Sequence, residues 1–302
     1  MGLKEFLQDE GSVRLGLFLG RHLSLGAGNY WATHVGRYLA SKPNRALLKD
    51  IKANQWVITG GKLSPTDLDA IAELVVVNLT RALFEYFYYY QHPEEGKQLT
   101  RLSPEMSTAL DEMLSGKVPT LVLGPHLGNF DLFGMMLTWL GLRPLVLSYP
   151  NPNNAYKAQN KLREGLGVTV LPLTPSAYRE ARLALRAGTS VITGLDRAVP
   201  DNHKYMPVFF GHPAPLPVFY VNLALDTGAK VRVACGVRQE DGSYLLDSSK
   251  PLKFTRYATH EETYLRNAEM ALAEAEKFVL RNPAQWAMFH PVWPHVSQTF
   301  NH

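Results

Sequence analysis

Residues 120–131 read Thr-Leu-Val-Leu-Gly-Pro-His-Leu-Gly-Asn-Phe-Asp, and this stretch decides the fold. It starts with a short, continuous apolar run, which is typical of a strand buried on both faces. Gly124 and Pro125 then interrupt the run, and apolar residues continue at helical spacing to about residue 141. The stretch therefore predicts a strand, a tight turn and a helix in succession.

The same alternation repeats towards the C-terminus. Further strands are predicted at 144–148, 168–172, 190–193, 230–238 and 244–248, and helices at about 132–141, 154–166 and 175–187. Continuous apolar strands that alternate with helices favour a parallel arrangement. We therefore expect an α/β fold, with a largely parallel or mixed central sheet covered by helices on both faces.

Residues 1–118 predict a mostly helical N-terminal layer. Ser64-Pro65-Thr66-Asp67 combines an N-cap, a proline at the first helical position and an acid in the first turn, and predicts a long helix to about Tyr90. Thr259-His-Glu-Glu262 is a capping box that predicts a final amphipathic helix. We interpret residues 1–302 as one domain, with the helical layer at 1–118 and the α/β core at 119–302.

Composition excludes several classes of protein. Of the 302 residues, 46% are hydrophobic and 11% aromatic, so the chain has enough apolar material for a core and is not intrinsically disordered. The single cysteine, Cys235, excludes a disulfide scaffold and lies in an apolar run that predicts a buried strand. The net charge of +4 mildly favours anionic partners.

No membrane-spanning helix is predicted. The N-terminus carries Glu5, Asp9 and Glu10 and lacks the basic-then-apolar pattern of a signal peptide. The longest uncharged stretch near the required length, 205–225, contains four prolines, which are incompatible with a continuous helix. We therefore expect a protein that is soluble or bound to a membrane surface.

His126 and Asp131 are the first candidates for chemistry. They follow a predicted strand at the sheet edge where ligands gather in such folds. With a turn at Gly128 and Asn129, the chain can fold back so that Asp131 accepts a hydrogen bond from one imidazole nitrogen, and the other nitrogen then serves as a general base. The alternative is a core histidine bonded to a helix-capping aspartate.

Other catalytic signatures are missing from the sequence. It contains no G-x-S-x-G nucleophile elbow, no P-loop and no H-E-x-x-H zinc motif. His290 and His295 lie in a Pro- and Trp-rich segment without further ligands nearby in sequence, so we predict no metal site there.

Residues 124–131 resemble the H-x-G-N-[WF]-[ED] signature of the bacterial lipid A biosynthesis acyltransferases, the lauroyl/myristoyl type within the lysophospholipid acyltransferase superfamily. Four further blocks resemble that family in the same order, so that the resemblance covers about residues 28–295. These blocks are Asn151-Pro-Asn-Asn with the downstream Arg163, Thr193-Gly-Leu-Asp-Arg197, Pro207–Ala214 and Arg281–His290.

The resemblance implies transfer of a fatty acyl group to a hydroxyl of a membrane glycolipid or lysolipid. The donor would be an acyl thioester of acyl carrier protein or coenzyme A, with no other cofactor. His126 would be the general base and Asp131 its orienting partner, and backbone amides after Gly128 would bind the oxyanion. The substrate-binding residues would be Gly128, Asn129, Arg163, Asp196 and Arg197.

Two of these assignments have structural alternatives. Arg163 could be a solvated charge at a helix end, and Arg197 could form an ion pair with Asp196. As phosphate ligands, both arginines would hold the acceptor phosphate or the pantetheine phosphate of the donor.

We expect the protein to bind peripherally to an anionic membrane surface, on the cytoplasmic face of the inner membrane. The aromatic run 84–90 serves either as core or as part of that interface. Basic and aromatic residues are not concentrated in one groove, so nucleic acid is not an expected partner. A thioesterase with the same histidine and aspartate, and a non-catalytic lipid-binding protein on this fold, are the alternative functions.

Overall fold

The computed structural model describes residues 9–41, 45–199 and 204–300. Within these ranges the helices are α1 Glu10–His22, α2 Leu25–Ser41, α3 Arg45–Ile58, α4 Pro65–Gln91, α5 Pro93–Leu99, α6 Pro104–Ser115, α7 Phe130–Trp139, α8 Asn154–Gly165, α9 Pro175–Arg186, α10 Phe219–Thr227, α11 His260–Arg281 and α12 Pro294–Thr299. The strands are β1 Thr100–Leu102, β2 Thr120–Gly124, β3 Leu145–Ser148, β4 Thr169–Pro172, β5 Val191–Gly194, β6 Val208–Phe209, β7 His212–Pro213, β8 Lys230–Arg238 and β9 Tyr244–Ser248.

Seven strands form one mixed sheet in the order β1-β9-β8-β2-β5-β3-β4. Every neighbouring pair is parallel except β8 and β9, which are antiparallel. The expected α/β fold with a largely parallel or mixed sheet is therefore confirmed. The short hairpin of β6 and β7 lies outside this sheet and was not predicted.

The strand residues of the sheet alternate between two hydrophobic clusters, because successive side chains of a strand point to opposite faces. Leu121 belongs to a cluster that includes buried residues of α9, α10 and α11. Its neighbour Val122 belongs to a second cluster that includes buried residues of α4, α6 and α7. Both faces of the sheet are thus covered, which explains why Leu121, Val122 and Leu123 of β2 are all apolar.

The long helix α4 anchors the N-terminal layer. The Ser64 hydroxyl caps it by accepting a hydrogen bond from the Asp67 amide at 3.2 Å, as its sequence predicts. Residues 84–89 of the aromatic run are buried, so this run belongs to the core and not to a membrane interface. Among the described helices, none is both long and apolar enough to span a bilayer.

The strand β1 lies within the segment that we predicted to be helical. It joins the sheet through a parallel pairing with β9. Three residues are too few to show a hydrophobic period, so the sequence gives no signal for this strand. The single-domain organisation and its division at residue 118 stay predictions.

Candidate active site

The register of β2 against β5 brings His126 and Asp196 together. Gly124 at the end of β2 pairs with Gly194 at the end of β5. His126 and Asp196 each follow two residues later, beyond the carboxyl ends of adjacent parallel strands. Their side chains therefore meet at the edge of the sheet where this class of fold places its ligands.

Asp196 holds His126 through two contacts. Its Oδ1 lies 2.6 Å from Nδ1 of the imidazole, and its Oδ2 accepts the backbone N–H of His126 at 2.8 Å. The Trp286 indole N–H also donates to Oδ2, at 2.8 Å. Asp196 is completely buried, while 26% of the His126 side chain is exposed. One carboxylate thus fixes both the backbone and the ring of the histidine.

The pKa of Asp196 lies below its ordinary value. Burial by itself raises the pKa, but the charge of the His126 imidazole and the hydrogen bonds from His126 and Trp286 lower it by more. An ionised Asp196 accepts a proton-bearing Nδ1, which leaves Nε2 of His126 as the basic nitrogen. The pair therefore has the arrangement of a general base with its orienting carboxylate.

Asp131 is not the partner of His126, which corrects the prediction from their spacing. Asp131 lies in the first turn of α7, and its carboxylate forms an ion pair with Arg163 on α8. The helix directs Asp131 to a neighbouring helix, whereas Asp196 comes from the adjacent strand end. The sequence signal that could have found Asp196 was its position directly after a predicted strand.

Arg163 agrees with neither of its two interpretations from sequence. It is not a solvated charge at a helix end, and its guanidinium is not free to bind a phosphate. Its side chain is 13% exposed and that of Asp131 is 14% exposed, so the ion pair is largely buried. Arg163 also donates to the side-chain oxygen of Asn160. The charge of its guanidinium is therefore already matched by a carboxylate of the protein.

Gly128 and Asn129 shape the turn after His126. Gly128 has φ +66°, and a Cβ built there would lie 2.1 Å from the Gly236 carbonyl oxygen, so only glycine fits. Asn129 caps α7 by accepting the Leu132 amide at 3.1 Å, and it donates to the Ala82 carbonyl at 2.8 Å. Asn129 is thus bound to protein groups, in place of the expected contact with substrate.

The backbone amides of the same two residues are also occupied. The N–H of Gly128 donates to the Gln285 carbonyl at 2.9 Å, and that of Asn129 donates to the Gly236 carbonyl at 3.1 Å. These two amides are therefore unavailable to an oxyanion. The next amides, of Phe130 and Asp131, belong to the first turn of α7, where helix amides lack partners within the helix.

A cavity of about 140 Å³ has His126 in its wall. Most of its other lining side chains are apolar: Phe130, Phe133, Met135, Val146, Leu147, Leu166, Val168, Ile192 and Cys235. Asp131 and Arg163 are the acidic and basic side chains of an ion pair in its lining. Cys235 is buried in β8, and burial raises the pKa of its thiol to about 12, so it serves as packing, as expected. We call this space the apolar cavity.

Arg197 lies beyond the end of β5 and contacts two aromatic side chains. Its guanidinium lies 4.5 Å from the ring centroid of Tyr149 and 3.2 Å from Nε2 of His290. It forms no ion pair with Asp196 in the described part of the chain, in contrast to one expected alternative. Partial burial of the His290 ring, then the charges of Arg197 and His126, lower the pKa of His290 to about 4.

Sequence reasoning missed Trp286 and His290 as parts of this site. Both lie in the block Arg281–His290 whose resemblance was noted, but a resemblance alone does not show which neighbours they contact. Trp286 is 1% exposed and reaches the same carboxylate as His126. A buried indole N–H usually needs an acceptor, so a tryptophan in an apolar block could have been predicted to bind a buried carboxylate or carbonyl.

Comparison with known proteins identifies the family. The family model for the bacterial lipid A biosynthesis acyltransferase matches residues 27–295. A phosphatidylinositol mannoside acyltransferase of Mycobacterium tuberculosis strain ATCC 25618 / H37Rv is 26% identical over 209 residues, which cover 67% of this chain and 63% of that protein. The protein of the same name from strain CDC 1551 / Oshkosh matches equally.

A solved structure also aligns with the chain, that of the 1-acyl-sn-glycerophosphate (LPA) acyltransferase PlsC from Thermotoga maritima. The alignment covers 82% of this chain and 97% of that one, with 11% sequence identity and a TM-score of 0.37. The family model is the stronger finding, because it matches nearly the whole of the described chain and includes both strand ends that carry His126 and Asp196. The protein therefore belongs to the bacterial lipid A biosynthesis acyltransferase family.

Proposed function

We propose that this protein transfers a fatty acyl group from an acyl thioester to a hydroxyl of a membrane glycolipid or lysolipid. The observation that carries the proposal is that His126, in the wall of the apolar cavity, is hydrogen-bonded to the buried Asp196, in a member of this family. Acyl carrier protein and coenzyme A are both suitable carriers for the donor.

His126 acts as the general base. Its Nε2 removes the proton of the acceptor hydroxyl while the oxygen attacks the thioester carbonyl, which gives a tetrahedral oxyanion. The C–S bond then breaks, and the leaving thiolate takes the proton back from the imidazolium. The Asp196 carboxylate stabilises that imidazolium, and such catalysis typically contributes about 10²–10⁴-fold in rate.

The apolar cavity receives the acyl chain of the donor. Its lining of aliphatic and aromatic side chains favours a hydrocarbon over water. Asp131 and Arg163 brace its wall through their ion pair. The amides of Phe130 and Asp131, at the start of α7, are the donors best suited to the oxyanion, because the two preceding amides are occupied.

Arg197 is the remaining candidate among the predicted phosphate ligands. It lies at the same edge of the sheet as His126, and its contacts with Tyr149 and His290 leave its positive charge unmatched by a carboxylate in the described part of the chain. It therefore suits a phosphate of the donor or the acceptor.

A glycosylated phospholipid is the acceptor that best agrees with the mycobacterial relatives, which are phosphatidylinositol mannoside acyltransferases. The chain spans 63% of the length of those relatives. The substrate of those relatives is therefore one candidate acceptor for this protein. Other lipids with a free hydroxyl have to be assayed beside it.

The protein binds the membrane surface through the exposed face of α2. Tyr30 and Trp31 are 59% and 60% exposed, and Val35 follows one turn later at 48%. Trp and Tyr favour the interface between water and lipid. The chain has a single cysteine and therefore no need of an oxidising compartment. We place it on the cytoplasmic face of the inner membrane, where a thioester donor is available in a reducing compartment.

The test is an acyl-transfer assay with the purified full-length chain. Acyl-coenzyme A and acyl carrier protein thioesters are each supplied with a lysophospholipid, a mannosylated phosphoinositide or no acceptor, and products are identified by mass spectrometry. Acylated lipid supports the proposal. Release of free fatty acid at the same rate with and without acceptor would show a thioesterase instead. No turnover with any combination of donor and acceptor would contradict both the acyltransferase and the thioesterase activity.

A further inference from the structure

A second cavity, of about 180 Å³, lies between α4, the carboxyl end of β8 and the Gly128 turn. We call it the polar cavity, because its wall includes several polar side chains. They include Asn78, Arg81, Asn129, Arg238, Gln239 and Gln285. Its composition contrasts with that of the apolar cavity beside His126.

Arg81 is the unusual residue of the polar cavity. Its Nε is buried, and within the described chain it has no hydrogen-bond partner. No ion pair of the guanidinium is found there either. A guanidinium is always charged, and a buried N–H donor such as this Nε is costly when it has no partner. Arg81 therefore needs an acceptor that these protein residues do not supply.

Arg238, the second cation of the cavity, is only partly matched. Its Nε donates to Oε1 of the buried Glu85 at 3.1 Å. The same carboxylate also accepts from Asn29 at 2.8 Å and from the Tyr244 hydroxyl, so its acceptor capacity is largely used. Glu85 thus offsets the charge of Arg238, whereas the charge of Arg81 is not offset by Glu85.

Glu240 is the one carboxylate among the residues that line the polar cavity. It is exposed, and in the described part of the chain it forms no ion pair with Arg81. An exposed carboxylate contributes little to the stability of a cation with which it forms no ion pair, because water screens its charge. The cavity therefore keeps a net attraction for anions.

The polar cavity shares its wall with the segment that carries His126. Gly128 and Asn129 line it, two and three residues after the imidazole. The Ala287 N–H donates to the His126 carbonyl at 2.8 Å, and Gln285 accepts from Gly128, so two further lining residues are bonded to the same turn. A ligand in the polar cavity is therefore held next to the turn that presents the base.

We infer that the polar cavity binds a phosphate group of a substrate, with Arg81 as its main ligand and Arg238 as the second. Two arginines with free N–H groups match the oxygens of a phosphate monoester or diester. The identity of the phosphate-bearing ligand rests on the proposed function, because that function supplies the two candidate substrates. The phosphate belongs either to the headgroup of the acceptor lipid or to the pantetheine arm of the donor.

The test compares Arg81→Gln with a matched control, Arg182→Gln. Arg182 also has a buried Nε without a partner in the described chain, but it lies on α9 and lines neither cavity. Binding of inorganic phosphate and of pantetheine 4′-phosphate is measured by calorimetry on the full-length proteins. The Michaelis constants for thioester and lipid are measured in the transfer assay.

We expect Arg81→Gln to weaken phosphate binding and to raise one Michaelis constant by about ten- to a hundredfold, the usual effect of losing a charged hydrogen bond. The control should match the wild type. An effect on the thioester alone identifies the donor phosphate, and an effect on the lipid alone identifies the acceptor headgroup. Arg81→Lys, which keeps the charge, should retain part of the affinity.

Phosphate affinity and Michaelis constants that are the same in Arg81→Gln, Arg182→Gln and the wild type would overturn the inference. Thermal melts of all variants ensure that folded proteins are compared. If the wild type transfers no acyl group to any lipid, the proposed function fails, and the phosphate affinity of Arg81→Gln still decides whether the polar cavity is an anion site.

Discussion

The Asp196 carboxylate and the His126 imidazole are joined by a 2.6 Å hydrogen bond although seventy residues separate them in the chain. The parallel pairing of β2 with β5 creates this contact, because each residue lies two positions beyond its strand end. The partner that follows His126 closely in sequence, Asp131, is bound elsewhere. The roles of these two aspartates can therefore be separated by mutation.

Asp196→Asn should lower the turnover number by about 10²–10⁴-fold, the range that general-base catalysis contributes. The variant keeps the size of the side chain, but it loses the charge that stabilises the imidazolium. Single-turnover acyl transfer at saturating donor and acceptor measures the effect. Turnover within threefold of the wild type would show that the His126 base works without this carboxylate.

Asp131→Asn should affect stability more than chemistry. It leaves the largely buried Arg163 without a carboxylate, and breaking such a pair costs about 3–5 kcal/mol. Urea unfolding measures the loss. The double variant Asp131→Leu/Arg163→Met removes both charges and should recover part of the stability. A stable Asp131→Asn protein with the activity of Asp196→Asn would restore Asp131 as the catalytic partner.

Gly128→Ala should destabilise the turn after His126. A non-glycine residue at φ +66° costs roughly 1–3 kcal/mol, and contact with the Gly236 carbonyl adds to this. The matched control is Gly134→Ala in α7, where a Cβ meets no heavy atom within 4 Å. There alanine should stabilise the helix by roughly 0.5–1 kcal/mol. Equal unfolding midpoints for the two variants would contradict the close approach at Gly128.

His290 should remain neutral well below the usual range for histidine. Its pKa of about 4 lies below the ordinary 6.5, so the unfolded chain binds this proton first as the pH falls. The contribution of His290 to stability therefore declines between about pH 6.5 and pH 4. Nitrogen-detected NMR of the imidazole measures the titration. Arg197→Gln should raise the pKa of His290, and an unchanged value would remove Arg197 as a cause.

Local patterns in the sequence predicted most of the sheet and many helix starts. The β-branched runs marked β2, β3, β4, β5, β8 and β9, and the caps at Ser64 and Thr259 marked the starts of two long helices. Each of these signals lies within a few residues, so no tertiary information is needed to find it.

Contacts between distant segments could not be predicted in the same way. The pairing of His126 with Asp196 depends on β5 lying beside β2, although β3 and β4 lie between them in the chain. The polar cavity likewise depends on α4 and the end of β8 lining the same space, so that Arg81 and Arg238 share its wall. Strand order and helix placement decide both, and neither is encoded in a local pattern.

The central claim is that Nε2 of His126 removes the proton of the lipid hydroxyl during acyl transfer. The most direct measurement compares the turnover number of His126→Ala with that of the wild type, with a saturating thioester and the best lipid acceptor. Mass spectrometry quantifies the acylated lipid, and circular dichroism verifies the fold. We predict a loss of about 10²–10⁴-fold. A folded His126→Ala protein that retained more than about a tenth of the wild-type turnover would contradict the claim, because that loss lies far below the range of general-base catalysis.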